Sequence, residues 1–320
     1  GGFTDELGKA HNSGYHFRFP YWEVLNEPDR EHNTTPQTYT KRYDAIVEAI
    51  HKVSPDTKFV GLSLAFTSKD PEWYEYFLNH ANHKPGIPLD YISYHFYSVP
   101  DPRENIESWQ YTFFNHANAF LASIRFIETI RKRLSPDTKT ATNEVGVILP
   151  SDIDEMRTSK VLPTNIPQRY WNAAGALYGY LFMQEARLGI DVIGESQLVG
   201  YPSQFPSVSM MDWTNGKPNA RFWVLELLKN NFHPGDRLVA TAVSPMSQIE
   251  SQLFVTPGGK KLLVVNRANA PIDVTLPAEA NSGSLATVDE MSGDDKPRLS
   301  EQSGNTLQLA AFSVAVLTFQ

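Results

Sequence analysis

The sequence predicts an α/β fold built on a parallel sheet, followed by a small antiparallel β-sandwich. Three observations carry the prediction. Apolar strand-like runs alternate with helical patterns through the first two-thirds of the chain. The pentapeptide Ser-Pro-Asp-Thr-Lys occurs at 54–58 and again at 135–139, each time between a helix and a strand. After His233-Pro234-Gly235-Asp236 no long helical period survives, and short β-like runs take over.

Taken in order, Tyr21 to Leu25 reads as a buried strand running into Asn-Glu-Pro. Thr35-Pro36 opens a helix to about Val53, since Pro is compatible with a first helical turn. Lys58 to Ala65 is a second strand and Pro71 to Asn79 a short helix. Leu89 to Tyr97 is a third strand, followed by a long helix from about Trp109 to Leu134 with Phe113, Phe120, Ile124 and Ile127 at core spacing. Thr138 to Glu144 gives a fourth strand, Pro167 to Leu188 a mostly apolar helix, Asp191 to Ser196 a fifth strand and Asn219 to Asn230 a last helix. Beyond them, Arg237–Val243, Ile249–Val255, Lys261–Asn266, Ile272–Leu276, Ala286–Asp289 and Thr306–Phe319 are β candidates, the last long enough for two strands. The expected division is an α/β unit over 1–235 and a β unit over 236–320.

Composition narrows the function. The 320 residues are 41% hydrophobic and carry a formal charge of −8, which argues against nucleic acid as a partner. No apolar run approaches a membrane span, so no membrane role is expected. Cysteine is absent, which removes disulfides and thiolate chemistry and fits either redox compartment. The first residues lack the charged and apolar regions of a signal peptide. There is no Gly-rich phosphate loop, no His-Glu-x-x-His and no Gly-x-Ser-x-Gly elbow, so neither a cofactor nor a metal is expected.

Chemistry concentrates where strands meet loops. Glu27, in Trp22-Glu23-Val24-Leu25-Asn26-Glu27-Pro28, places a carboxylate just past a buried strand. Glu144, in Asn143-Glu144, does the same at the fourth strand. Two facing carboxylates are what glycosidic cleavage requires, one to protonate the leaving oxygen and one to attack the anomeric carbon or activate water. Between them lies Tyr94-His95-Phe96-Tyr97, whose imidazole or phenol can hydrogen-bond a carboxylate, or simply fill the core. Glu195 ends the fifth strand; it is a candidate for a sugar hydroxyl, for raising the pKa of the acid by like charge, or for a structural ion pair. Trp213 follows as either a sugar-stacking platform or a packing residue, and Asp29 and His32 sit on a loop suited to shape the leaving-group side.

On these motifs the chain resembles a clan A glycoside hydrolase, most closely family 39, the β-xylosidase and α-L-iduronidase group. Leu25 stands where that family often has Trp, with Trp22 upstream. The resemblance implies a (β/α)8 TIM barrel with a trailing β-sandwich, and a retaining double displacement on a terminal sugar. Glu27 then ends strand four as acid/base, Glu144 ends strand seven as nucleophile, Asn26 holds the sugar 2-hydroxyl, and His95 and Tyr97 support the nucleophile from strand six. The implied partner is an oligosaccharide or glycoside, and neutral sugars fit better than uronates, for which Arg221 and Lys217 are the basic candidates. Only 20 residues precede the strand counted as fourth. Three further βα units need on the order of 90 residues, so a missing N-terminal segment is expected to complete the barrel. The alternative is a non-catalytic carbohydrate-binding or structural protein, or an inactive fragment of a glycosidase.

Overall fold

The computed structural model describes residues 1–320 apart from 15–16, 68–69, 153–165, 200–204, 213 and 244–246. A hairpin of β1 (Gly2–Thr4) and β2 (Ala10–Asn12), unforeseen from the sequence, precedes the first sheet strand. That sheet runs β3 (Tyr21–Glu23), β4 (Lys58–Leu64), β5 (Tyr91–Ser98), β6 (Lys139–Val147) and β7 (Val192–Ile193), all parallel and in chain order. Helices α1 (Pro36–His51), α2 (Glu72–Phe77), α3 (Ile106–Leu134) and α4 (Gln168–Leu188) connect successive strands, and α5 (Ala220–Asn231) follows the last. The expected α/β order is therefore present, with β7 reduced to two residues. Local chemistry sets the helix ends. The Thr35 hydroxyl caps α1 by accepting from the Thr38 amide, with Pro in the first turn, and α4 stops at Gly189, whose φ of 77° suits a residue without Cβ. Among the described residues no helix is long and apolar enough to cross a membrane.

Period-two alternation decides which side chains reach the helices. On β5, Ile92, Tyr94 and Phe96 join the main core, while Tyr91, Ser93, His95 and Tyr97 occupy the alternate positions. Ser93 meets Ser63 of β4 at 2.6 Å on that second face, and Tyr91 clusters there with Val60 and Ala141. The sheet is strongly curled. Strand β6 is the third neighbour of β3, about 14 Å away in a flat sheet, yet Asn143 on β6 donates a hydrogen bond to Glu23 on β3. Such curling is that of a barrel wall. At the sheet edge formed by β3 and the residues before it, Phe17, Phe19, Tyr21 and Trp22 are exposed.

The C-terminal region forms a six-stranded antiparallel sheet of order β13-β12-β15-β10-β9-β8 and a ribbon of β11 with β14. The strands are β8 (Arg237–Val239), β9 (Ile249–Thr256), β10 (Gly259–Asn266), β11 (Ile272–Thr275), β12 (Ser282–Val288), β13 (Arg298–Ser303), β14 (Thr306–Leu309) and β15 (Val314–Phe319). The expected break at Thr306–Phe319 into two strands is present, whereas β13, polar and exposed, gave no apolar pattern to read. One face of the large sheet offers Leu263, Val265, Val314 and Val316 to the core shared with the helices. The other offers Leu262, Val264, Ala315 and Leu317 to Leu307 and Leu309 of the ribbon. Gly179 permits the first contact, since a Cβ there would lie 3.2 Å from Val265 and 3.3 Å from Val314. Arg187 on α4 fixes the docking through Glu250 and Gln252 at 2.7 Å each.

Candidate active site

Two departures from regular strand geometry shape the site. The register of β5 against β6 shifts between Tyr94 and His95, so that Thr142 lies opposite Tyr94 and Glu144 opposite His95. The additional residue, Asn143, re-aims the strand end, as bulges do. The turn after β3 holds Leu25 at φ 65° and Glu27 at φ 41°, a left-handed conformation that non-glycine residues rarely adopt. The Glu27 amide donates to Ser63 O at 3.1 Å and its carbonyl accepts from Glu31 N at 2.8 Å, which pins the turn.

These features bring Glu27, His95 and Glu144 together, with one donor atom of each within 4.8 Å of the others. His95 Nδ1 stands 3.2 Å from Glu27 Oε1 and 3.5 Å from Glu144 Oε2. Its side chain is 1% exposed, against 9% for Glu27 and 32% for Glu144, so Glu144 is the open member. The Tyr97 hydroxyl donates to Glu144 Oε2 at 2.9 Å. Having spent its one proton, it accepts from Ser196 Oγ at 2.8 Å. Arg30 Nη1 reaches Glu27 Oε2 at 3.4 Å.

The electrostatics follow from these contacts. The hydrogen bond from His95 holds the Glu27 carboxyl below its usual value, against the effect of burial. Burial works against the His95 imidazolium, yet the bond to Glu27 and the charges of Glu144, Glu23 and Glu27 hold it above its ordinary pKa. Burial, and then the charge of Glu144, push the Tyr97 phenol up, so it stays a donor.

The model of the family described as "Glycosyl hydrolases family 39" matches residues 8–164, the span carrying Glu27, His95 and Glu144. Over that span, just under half of the 320 residues, the chain is similar to glycosyl hydrolases family 39. Residues 247–317 match a second model, "D-apionate lactonase, C-terminal immunoglobulin-like domain". No curated protein matches the chain. Among solved structures it is similar to AbfB, a family 51 α-L-arabinofuranosidase from Bifidobacterium longum, at 17% identity and TM-score 0.63, covering 93% of this chain and 67% of that one. It is similar to the GH51 arabinofuranosidase from Xanthomonas axonopodis pv. citri at 14% identity and TM-score 0.64, covering 95% and 67%. A GH30 endoxylanase from Clostridium papyrosolvens C71 gives 12% identity, TM-score 0.53 and coverage of 94% and 65%. At such identities the likeness shows the fold alone, one of α/β barrel type. The chain spans about 65% of the endoxylanase.

The other residues singled out in the sequence lie as follows. Asn26, half-buried, donates from Nδ2 to Glu31 Oε2 at 3.3 Å. Asp29 accepts from the Ala65 and Phe66 amides at 3.0 and 3.1 Å, so its carboxylate holds the loop after β4. His32 is exposed. Glu195 pairs with Arg221 Nε at 2.8 Å, both side chains at most 1% exposed. Burial pushes Glu195 up and the guanidinium opposes it within this buried salt bridge. Of the readings open for Glu195, the ion pair is the one its contacts describe. Arg221, a candidate for a uronate carboxylate, is spent on Glu195 and on the carbonyls of Val145, Ser196 and Val208. Trp213 lies outside the described residues. Two participants escaped sequence reasoning. Glu23 accepts from Asn143, and burial raises its pKa; Ser196 supports Tyr97. Glu23 was readable as a charged residue inside an otherwise apolar strand, whereas Ser196 carried no signal.

Proposed function

We propose that the chain is the C-terminal part of a retaining glycosidase in which Glu27 is the acid/base and Glu144 the nucleophile. The observation that supports this best is the approach of the two carboxylates, oxygen to oxygen within 4.8 Å, one from β6 and one from the turn after β3. Retention calls for carboxyl groups about 5–5.5 Å apart, and inversion for about 6.5–9.5 Å, to admit a water. Glu144 is the more exposed, and the Tyr97 hydroxyl and His95 stabilise its charge for attack.

In the first step a Glu144 oxygen bonds to the anomeric carbon, the bond to the leaving oxygen breaks, and that oxygen takes a proton. The paired His95 and Glu27 share the proton along Nδ1···Oε1, and the approaching leaving oxygen draws it through Glu27. In the second step water loses a proton to Glu27, its oxygen bonds to the same carbon, and the Glu144 ester bond breaks. Asn26, freed from Glu31, is the residue this reading assigns to the 2-hydroxyl. A neutral pyranoside or furanoside at a chain end fits, since Arg221 is already paired.

The same reading divides the chain near 235/236, with a β-sandwich of sheet and ribbon after the barrel part. It also supplies three further βα units to cover the concave face and the edges of β3 and β7, where Tyr21, Trp22 and Val192 are exposed. Glu144→Ala and Glu27→Ala on a panel of nitrophenyl glycosides test the roles. Azide is expected to rescue the first with an inverted product and the second with a retained glycosyl azide; unchanged turnover in either variant overturns the assignment. N-terminal sequencing of the natural protein tests completeness, and a natural start at Gly1 with unaided folding would refute the need for further units.

A further inference from the structure

The Glu27, His95 and Glu144 cluster has a second chemical reading that needs no assignment of catalytic roles. His95 Nδ1 is 3.2 Å from Glu27 Oε1 and 3.5 Å from Glu144 Oε2. Ligand–ligand edges around tetrahedral zinc, with bonds of about 2.0–2.2 Å, run to about 3.3–3.6 Å, close to the two His95 separations, and the two carboxylate oxygens lie within 4.8 Å of each other. We infer that these three side chains form a three-ligand site for a divalent transition-metal ion of the Zn²⁺ type, open to the cleft at its fourth position.

The donor set favours this class. One imidazole nitrogen with two carboxylate oxygens suits Zn²⁺ and its neighbours, whereas Ca²⁺ and Mg²⁺ want six or more oxygens. Each ligating carboxylate is oriented by another group: Tyr97 donates to Glu144 Oε2, and Arg30 holds Glu27 Oε2 so that Oε1 faces the imidazole. Glu23 adds a third carboxylate nearby, whose charge faces His95 and Glu144. One feature of a resident metal centre is missing among the described residues: His95 Nε2 is buried without a hydrogen-bond partner, where structural and catalytic zinc sites usually give it one. The ion is therefore exchangeable rather than resident, seated between the two carboxylates. Because the donors come from three separate segments of the chain, no contiguous motif announces them.

The test is calorimetric titration of the full chain with ZnCl₂ in a non-chelating buffer, paired with thermal melting. One ion per chain is expected, with a rise in melting temperature that EDTA reverses. His95→Gln and Glu144→Gln are each expected to weaken binding by about 10-fold or more. His32→Gln, which removes an exposed imidazole on the neighbouring loop, is expected to leave it unchanged. Glu144 is one-third exposed, so its variant stays informative should His95→Gln fail to fold. Absence of saturable binding, or equal affinity in wild type and Glu144→Gln, overturns the inference. Zinc binding without glycosidase activity would remove the catalytic reading and leave the metal site; activity without zinc binding would do the reverse.

Discussion

Replacing Glu185 by Gln should stabilise the protein by an amount that grows with pH. Glu185 lies on α4 with no exposed surface, and burial pushes its carboxyl from an ordinary 4.5 up to about 8, the Thr142 hydroxyl opposing. In the unfolded chain the carboxyl ionises near its ordinary value. Between those two points the folded protein holds a proton that the unfolded chain releases, so stability falls by about 1.4 kcal/mol per pH unit. The contribution of Glu185 is thus fully present below pH 4.5 and lost as pH rises through about 8. Gln has nearly the same shape and no proton to lose. Urea unfolding of both proteins across this range should show similar stability near pH 4.5 and a gap approaching roughly 3–5 kcal/mol at pH 8, level thereafter. A gap that is constant across pH, or a less stable Gln variant at pH 8, would refute the reasoning.

Two further outcomes concern the site and its support. Tyr97→Phe removes the donor that meets Glu144 Oε2 at 2.9 Å; kcat/KM on an aryl glycoside should fall by about 10- to 100-fold, with KM little changed. Arg221→Met strands the buried Glu195 carboxylate and should cost about 3–5 kcal/mol in denaturant unfolding. Adding Glu195→Leu should recover much of that loss, because the uncompensated charge then disappears.

The strand–helix order was readable because β4, β5 and α3 each bury a periodic apolar face: Phe59, Leu62 and Leu64 on β4, Ile92, Tyr94 and Phe96 on β5, and Phe113, Phe120, Ile124 and Ile127 on α3. Strand β13 was not, since its residues are mostly exposed and its pairing depends on β12 rather than on its own pattern. Within the site, Glu27 and Glu144 were visible as carboxylates where apolar strand patterns break off, although Glu27 lies in the turn past β3 and β6 runs on beyond Glu144 to Val147. Their meeting through His95 was less so, because it depends on a register shift at Asn143 and on positive φ at Leu25 and Glu27. Neither leaves a mark in hydrophobic periodicity. The partner of Glu195 was open for the same reason: Arg221 lies 26 positions on and reaches it only once α5 has packed.

The six-stranded sheet has one further consequence. Since Leu263, Val265, Val314 and Val316 complete the same core as α4 and α5, the boundary seen in the sequence near 235 is no seam in the packing. A chain stopped there would present the outer side of these two helices to water, an apolar surface made for a neighbour. The C-terminal sheet therefore acts as a buttress for the wall that holds Glu144, and selection on it should track the stability of that wall as much as any sugar it meets.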